Sequence, residues 1–327
     1  MDITVTVDDE NVRLDRFLRR QLGQIGQSAL EKMMRGGKIR VNGGKQKTSY
    51  RLQCDDKIML DDFAAGQFAH SSDASSGADA GQKAADSKHA QQFLASIELE
   101  RSEDWIAYNK PAGLAVQGGS KTRRHIDGYL QQLPGVRAKL VHRIDKDTSG
   151  LLLVARHDSA ARRLAGQFKT HDITKCYLAV VVGDPGVRGV IDAPLLKSGH
   201  QEKQKMVIDE QGLESLSLFR TLYVSASGLS LVAMMPVTGR THQLRAHMAH
   251  LGCPILGDGK YGGVQAHLGG GRYQLHLHAH FIQLADSQIL TAPLPDHINN
   301  TISQSGAGDA IPQTMPVFQI PDGYLHR

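Results

Sequence analysis

Val141-His142-Arg143-Ile144-Asp145-Lys146-Asp147-Thr148-Ser149-Gly150 runs directly into Leu151-Leu152-Leu153-Val154-Ala155. A charged turn gives way to an unbroken apolar run, short enough to be a strand buried on both faces. A carboxylate on such a turn is held by a rigid scaffold, which suits a catalytic side chain. Asp145 stands between Arg143 and Lys146, whose charge favours the ionised carboxylate and helps to hold an anionic substrate. A turn aspartate merely neutralised by its neighbours fits the same pattern.

Upstream of this stretch, Trp105-Ile106-Ala107-Tyr108-Asn109 has a strand pattern, and Lys110-Pro111-Ala112-Gly113-Leu114 and Gly118-Gly119-Ser120 follow as loops. Downstream, Leu229 to Met235 reads as another strand, leading into Pro236-Val237-Thr238-Gly239-Arg240-Thr241-His242-Gln243-Leu244-Arg245-Ala246-His247-Met248. Thr238 or Thr241 is the expected N-cap of a helix running to about Leu251, closed by Gly252 and Pro254. Leu244, Met248 and Leu251 are expected to form its buried stripe. Arg240, Arg245 and the helix N-terminus are placed to meet a phosphate or a carboxylate, although an arginine in such a position is more often a simple surface residue.

The chain divides by composition. Residues from about Ala64 to Gln92 are rich in Ala, Ser, Asp, Gly and Gln, as in Ser71-Ser72-Asp73-Ala74-Ser75-Ser76-Gly77-Ala78-Asp79, and offer little to bury. They read as a flexible linker. Beyond about Asn300 the sequence is polar and irregular, and a loosely packed tail is expected. Over 327 residues the formal net charge is +5, which fits a polyanionic partner without requiring one. The three cysteines, Cys54, Cys176 and Cys253, are widely separated, which favours a reducing compartment over a disulfide framework. No basic segment followed by an apolar run opens the chain, and no stretch of about 18 apolar residues occurs. A cytoplasmic protein without a membrane span is the expectation.

Ahead of the linker, Leu14, Phe17, Leu18 and Leu22 recur at helical spacing. Ser28 and Glu31 form a capping-box signature for a second helix to about Arg35, stopped by Gly36-Gly37. Ile39 and Val41 begin a short strand that turns at Asn42-Gly43. Between Arg13 and Arg51 eleven basic residues, among them Arg13, Arg16, Arg35, Lys38 and Arg40, face only Asp15 and Glu31. A basic face of this kind suits RNA phosphates; an ordinary solvated surface is the bland alternative.

Two resemblances sharpen these readings. Arg13-Leu14-Asp15-Arg16-Phe17-Leu18, Ser28 and Gly37-Lys38-Ile39-Arg40-Val41-Asn42-Gly43 resemble the αL-type RNA-binding module first seen in a ribosomal small-subunit protein. His-Arg-Ile-Asp-x-x-Thr-Ser-Gly at 142–150, Lys175-Cys176-Tyr177-Leu178-Ala179, Ala193-Pro194-Leu195-Leu196-Lys197 and Thr-Gly-Arg-Thr-His-Gln-Leu-Arg at 238–245 resemble the pseudouridine synthases of bacterial large-subunit ribosomal RNA. Ile255-Leu256-Gly257-Asp258, Tyr261-Gly262, Leu277-His278-Ala279 and Ala292-Pro293-Leu294-Pro295 extend the likeness, which covers about residues 100 to 297. Ile144 stands where Leu is commoner, and Ser217 where Thr is usual.

The resemblance implies roles. Asp145 is the essential aspartate. Tyr177 packs against the target base and serves the later proton step. Arg245 pairs with the aspartate, and Leu244 or a neighbouring aliphatic helps to wall the pocket. Arg143, Arg240 and His242 join the substrate contacts, as do Arg13, Arg16, Arg35, Lys38 and Arg40 in the basic module. The reaction detaches a uracil, rotates it and re-attaches it through carbon, so neither cofactor nor metal is required. The partner is large-subunit ribosomal RNA or a pre-ribosomal particle, and the protein is expected to act as a monomer.

The resulting expectation is an α+β protein. A small α/β RNA-binding module (1–63) and a linker (64–92) precede a catalytic domain (93–300) built on a mixed, mostly antiparallel sheet with flanking helices, and the tail (301–327) follows. Two rival readings remain at this point. One is a metal enzyme using His276, His278 and His280, or His247 and His250. The other is a non-catalytic RNA-binding or ribosome-assembly factor.

Overall fold

The computed structural model describes residues 1–6, 9–22, 27–62, 64, 78–118, 124–133, 138–199, 204–271 and 273–319. The chain forms two compact units, Met1–Ala85 and Asp86–Arg327.

In the first unit, strands β1 (Asp2–Thr4), β2 (Ile39–Val41) and β3 (Lys57–Leu60) make an antiparallel sheet in the order β1-β3-β2. Helices α1 (Leu14–Leu22) and α2 (Gln27–Arg35) lie between β1 and β2 in the chain. Leu14, Phe17 and Leu18 recur at three- and four-residue spacing, so one face of α1 is apolar, and it packs with Leu30, Ile39, Val41, Leu52 and Ile58 in a single core. Burial of each such side chain stabilises by about 1.5–3 kcal/mol. Gly37 ends α2 in the left-handed region at φ 72°, and the N–H groups of Gly37 and Lys38 donate to the carbonyls of Met34 and Met33. These two bonds satisfy carbonyls that the helix end would leave bare. Asn42 and Gly43 both have positive φ, which gives the tight turn the Asn-Gly pair predicts. The Ser28 side chain of the expected capping box lies outside the described residues.

The second unit carries one large sheet. Its strands are β4 (Glu98–Arg101), β5 (Trp105–Lys110), β6 (Lys139–Leu140), β7 (Ser149–Ala155), β8 (Thr174–Val182), β9 (Arg188–Asp192), β12 (Leu216–Val224), β13 (Leu229–Pro236), β14 (Leu277–Gln283) and β15 (Ile289–Thr291). The small hairpin β10 (Leu195–Ser198) and β11 (Lys205–Ile208) stands apart from it. The order is β4-β5-β7-β14-β8-β13-β12-β9, with β15 on β14 and β6 on β7. All described pairs in the sheet are antiparallel except β7 with β14, which pair in parallel through His278 with Ser149 and Ala279 with Gly150. The sheet is thus mixed and mostly antiparallel, and the chain is α+β. Around it lie α3 (Ala78–Ile97), α4 (Ile126–Gln131), α5 (Asp158–Lys169), α6 (Gln243–His250) and α7 (Asp296–Gln304).

Every residue of β7 is buried, as the apolar run requires. Gly150 sits at φ 107°, and a Cβ there would lie 2.2 Å from the carbonyl oxygen of Ala279. Only glycine lets β7 start this close to β14.

Two expectations of disorder are corrected. Part of the predicted linker, 65–77, lies outside the described residues, but Ala78–Ile97 is helical, with Ala90 and Leu94 buried in the main core. The alanines that make this segment poor in bulk also make it a good helix former. The predicted tail is packed as far as it is described. Ile302 and Ala307 join Leu229, Leu231 and Leu256 in one cluster, while Met315 and Phe318 lie against Cys176, Leu178 and Phe281. Residues 320–327 lie outside the described residues.

Candidate active site

Asp145 lies on the turn between β6 and β7, and the backbone around it is pinned from several sides. Thr148 N–H donates to Asp145 O at 3.2 Å, and Gly113 N–H donates to Lys146 O at 2.9 Å. Lys110 Nζ, at the end of β5, donates to the carbonyls of Pro111, Leu114 and Lys146 at 2.8–3.0 Å. Lys110 is wholly buried, and that burial lowers its pKa to about 7 against the opposing pull of Asp147 and Asp145. Leu153 N–H donates to His142 Nε2 at 2.8 Å, which fixes the first residue of the motif to the strand that follows.

Tyr177 is on β8, paired with Met234 of β13 on one side and Ala279 of β14 on the other. It is buried, and burial raises its phenol pKa, with the Asp145 charge adding to the effect. The strand pattern of Lys175-Cys176-Tyr177-Leu178-Ala179 explains its place: alternate residues face opposite sides of the sheet, and Tyr177 joins the core that holds Ala179 and Val181 while Cys176 and Leu178 join another.

Arg245 and Leu244 are on α6. The helix starts one residue later than Thr241 and about one turn later than Thr238 would make it, and Leu251, expected in its buried stripe, is exposed. Its N-cap is His242, at φ 52° and without a side-chain cap bond. Thr238 is used otherwise: its Oγ1 accepts from Leu216 N–H at 2.9 Å and donates to Gln243 Oε1 at 2.7 Å. Gln243 is buried, and its Nε2 donates to Leu216 O and Ser217 Oγ while Oε1 also accepts from Arg240 N–H. This one amide ties the helix start to β12. Ser217 holds a second tie, since its Oγ lies 2.9 Å from His247 Nδ1.

A cavity of about 240 Å³ gathers these elements. Asp145, Tyr177 and Arg245 all line it, as do Arg143, Arg240, His242, Leu244 and Lys175. The expected pairing of Arg245 with Asp145 is corrected. Arg245 Nε and Nη2 donate to the two oxygens of Asp258 at 2.8 and 2.7 Å, with Asp258 only 1% exposed. A guanidinium and a carboxylate fit edge to edge, and Asp258 takes both donors. Burial disfavours the Arg245 charge, but Asp258 outweighs it and Asp145 adds to the same effect, so its pKa is raised. Arg245 thus acts on Asp145 through space. The side chain nearest Asp145 among the described ion pairs is His242, whose Nε2 lies 4.0 Å from Oδ2. Residue type alone does not mark Asp258 or Lys110 in the sequence; their only signals there are the Gly257-Asp258 and Lys110-Pro111 blocks.

Arg143 is exposed at the rim, and Arg240 Nε donates to Glu214 O at 3.0 Å. The basic residues of the first unit differ in state. Arg13 is bonded to Asp15 and Lys38 to Asp61, whereas Arg16, Arg35 and Arg40 are exposed. Arg35 also lines a larger cavity of about 810 Å³ with Lys45, Lys47 and Tyr50.

The histidines that suggested a metal site have other partners. His276 Nε2 lies 2.9 Å from Thr301 Oγ1, His278 Nδ1 lies 2.9 Å from Ser149 Oγ, and His280 Nδ1 lies 2.8 Å from Ala292 O. His247 Nε2 lies 3.0 Å from Ala193 O, and His250 is exposed. No group of three potential metal ligands occurs among the described residues.

The family described as RNA pseudouridylate synthase matches residues 104–250, and the S4 domain matches residues 12–58. The chain belongs to the RNA pseudouridine synthases: it is an isomerase that converts uridine in RNA to pseudouridine, and it carries an S4 RNA-binding domain. Within that family it is similar to proteins named ribosomal large subunit pseudouridine synthase C. The one from Rickettsia typhi is 35% identical over 89% of this chain and 96% of its own length. The one from Escherichia coli K12 is 35% identical over 85% of this chain and 86% of its own. The solved structure of human RNA pseudouridylate synthase domain containing 4 matches with a TM-score of 0.56 at 27% identity, covering 68% of this chain and 97% of that one.

Proposed function

We propose that this enzyme isomerises uridines of large-subunit ribosomal RNA, as free RNA or within an assembling particle, and that Asp145 is the group acting at the sugar. The observation that carries this reading is the single cavity shared by Asp145, Tyr177 and Arg245. The target base must leave its stack, at a cost of a few kcal/mol. Tyr177 offers a ring for that base, and Leu244 and Leu277 supply aliphatic wall. Cleavage at carbon-1′ leaves a cationic sugar and an anionic base. The ionised Asp145 carboxylate serves as nucleophile, as stabiliser of the cation or as base toward a sugar proton. Arg245, fixed by Asp258, keeps positive potential beside it. The base stays enclosed while it turns.

The basic surface of the first unit, with Arg16, Arg35 and Arg40 exposed and Arg13 and Lys38 alongside, supplies phosphate contacts. Arg143, Arg240 and His242 contact the substrate at the cavity. In this reading the enzyme works in the cytoplasm as a monomer, and the names of its relatives support the choice of RNA.

Asp145→Asn is expected to lower pseudouridine formation about a thousandfold or more while RNA binding in a gel-shift assay stays near wild type. Full activity in that variant removes Asp145 from its role. Carbodiimide primer extension on ribosomal RNA from cells lacking the gene identifies the modified uridines.

A further inference from the structure

The ring nitrogen of His242 that faces away from Asp145 has a partner. His242 Nδ1 lies 2.9 Å from Tyr261 Oη, and the same phenol oxygen accepts the backbone N–H of Met206, on β11, at 3.0 Å. The two rings meet edge-on, with centroids 5.6 Å apart. The face of Tyr261 also lies under the Arg245 guanidinium, 5.2 Å from its centre. Tyr261 is thus wedged between His242 and Arg245.

The hydrogen positions follow from counting donors. A phenol has one hydrogen to give. Met206 occupies an acceptor position on Tyr261 Oη, and His242 Nδ1 is the only acceptor within reach of the O–H among the described hydrogen bonds. The O–H therefore points to Nδ1, and a neutral imidazole that accepts at Nδ1 carries its hydrogen on Nε2. That nitrogen is the one facing Asp145 Oδ2. Burial, helped by Arg245 and Lys260, lowers the pKa of His242 against the attraction of Asp145, which favours the neutral ring. The backbone adds an independent observation. His242 sits in the left-handed region at φ 52°, which is unfavourable for a side-chain-bearing residue and persists only where surrounding contacts enforce it.

We infer that Tyr261 and His242 form a positioning pair: the phenol fixes the imidazole tautomer, and the imidazole presents a neutral N–H to the Asp145 carboxylate. This rests on the reading in which Asp145 acts at the sugar, and it assigns the residues that aim it. A neutral donor steadies a carboxylate without cancelling its charge, which a nucleophile, a base or a cation stabiliser all need. The 4.0 Å separation is about 1 Å longer than a hydrogen bond, and catalytic contacts of this kind commonly tighten when substrate binds.

Tyr261→Phe keeps the ring under Arg245 and removes only the O–H. It is expected to lower kcat about tenfold, with KM for RNA changed less than about twofold. His242→Ala should lower kcat at least as much, the double variant should fall no lower than His242→Ala alone, and His242→Gln, which restores an N–H donor, should recover most of the loss. Nitrogen-15 NMR of the wild-type protein, with the His242 signals assigned by their disappearance in His242→Gln, should show Nε2 protonated and Nδ1 bare. A proton on Nδ1, additive losses in the double variant, or a loss confined to KM would each overturn the inference. The tautomer is read without reference to activity, so a wrong tautomer sinks this inference alone, whereas an active Asp145→Asn sinks the reading beneath it.

Discussion

The two units hold their charges in opposite ways. In the catalytic unit Arg245 and Asp258 are bonded through two nearly parallel contacts, with side chains 7% and 1% exposed. In the RNA-binding unit Lys38 and Asp61 are paired at a similar 2.8 Å, but with side chains 47% and 39% exposed. A buried pair is screened little and fixed in direction; an exposed pair sits in water and is screened within about 8–10 Å at physiological salt. One arrangement gives geometry; in the other unit it is the exposed basic residues in excess of their acidic partners that attract phosphates. The catalytic unit should therefore fail when a partner is removed or protonated, and the RNA-binding unit should respond to salt.

The largest effect tests the buried side directly. Asp258→Ala leaves the Arg245 guanidinium buried without its partner, and the unfolding free energy should fall by about 3–5 kcal/mol in denaturant titration. A loss below about 1 kcal/mol would mean that water reaches the pair, and the contrast between the units would collapse.

Acid gives the next test. His247 and His276 are buried and neutral, with burial lowering each pKa to about 4 from an ordinary 6.5. Between those values the unfolded chain binds more protons than the folded one, so stability is full above pH 6.5 and falls as pH drops toward 4. The loss approaches roughly 3 kcal/mol per histidine at the lower end. His276→Gln should flatten part of that slope in urea melts recorded across the window.

The smallest effect on the fold belongs to the exposed side. Replacing Arg16, Arg35 and Arg40 together with Gln should shift unfolding free energy by less than about 0.5 kcal/mol. The slope of log affinity for RNA against log salt should nevertheless become shallower by about 2–3. An unchanged slope would place the phosphate contacts elsewhere.

The same contrast governs what the sequence discloses. The turn at Asp145 is legible because polarity changes abruptly at Gly150, and α1 because Leu14, Phe17 and Leu18 keep helical spacing. Tyr177 lies within a plain strand pattern, and only the likeness to known synthases marks it. The partner of Arg245 is hidden for a physical reason: Asp258 is 13 positions away in the chain, across a loop, and no periodicity links them. Lys110 reads as the head of a loop, yet it is buried because three carbonyls receive its ammonium. The helix Ala78–Ile97 is hidden by its composition, since alanine serves both a structureless tether and a good helix. His242 shows a limit of cap rules, which favour Thr238 and Thr241 by side-chain chemistry; the chain instead begins its helix at a residue with positive φ.

The meeting of β7 and β14 has a consequence for how this catalyst can be tuned. The sheet is two antiparallel halves welded along one short parallel joint, two residue pairs long. The carboxylate is carried by the turn into β7, on one side of the joint, while the phenol on β8 lies on the other and the guanidinium comes from the helix between β13 and β14 in the chain. The distance between Asp145 and Tyr177 is therefore tied to the width of this joint. A small change in its width reaches the cavity through the turn that carries Asp145.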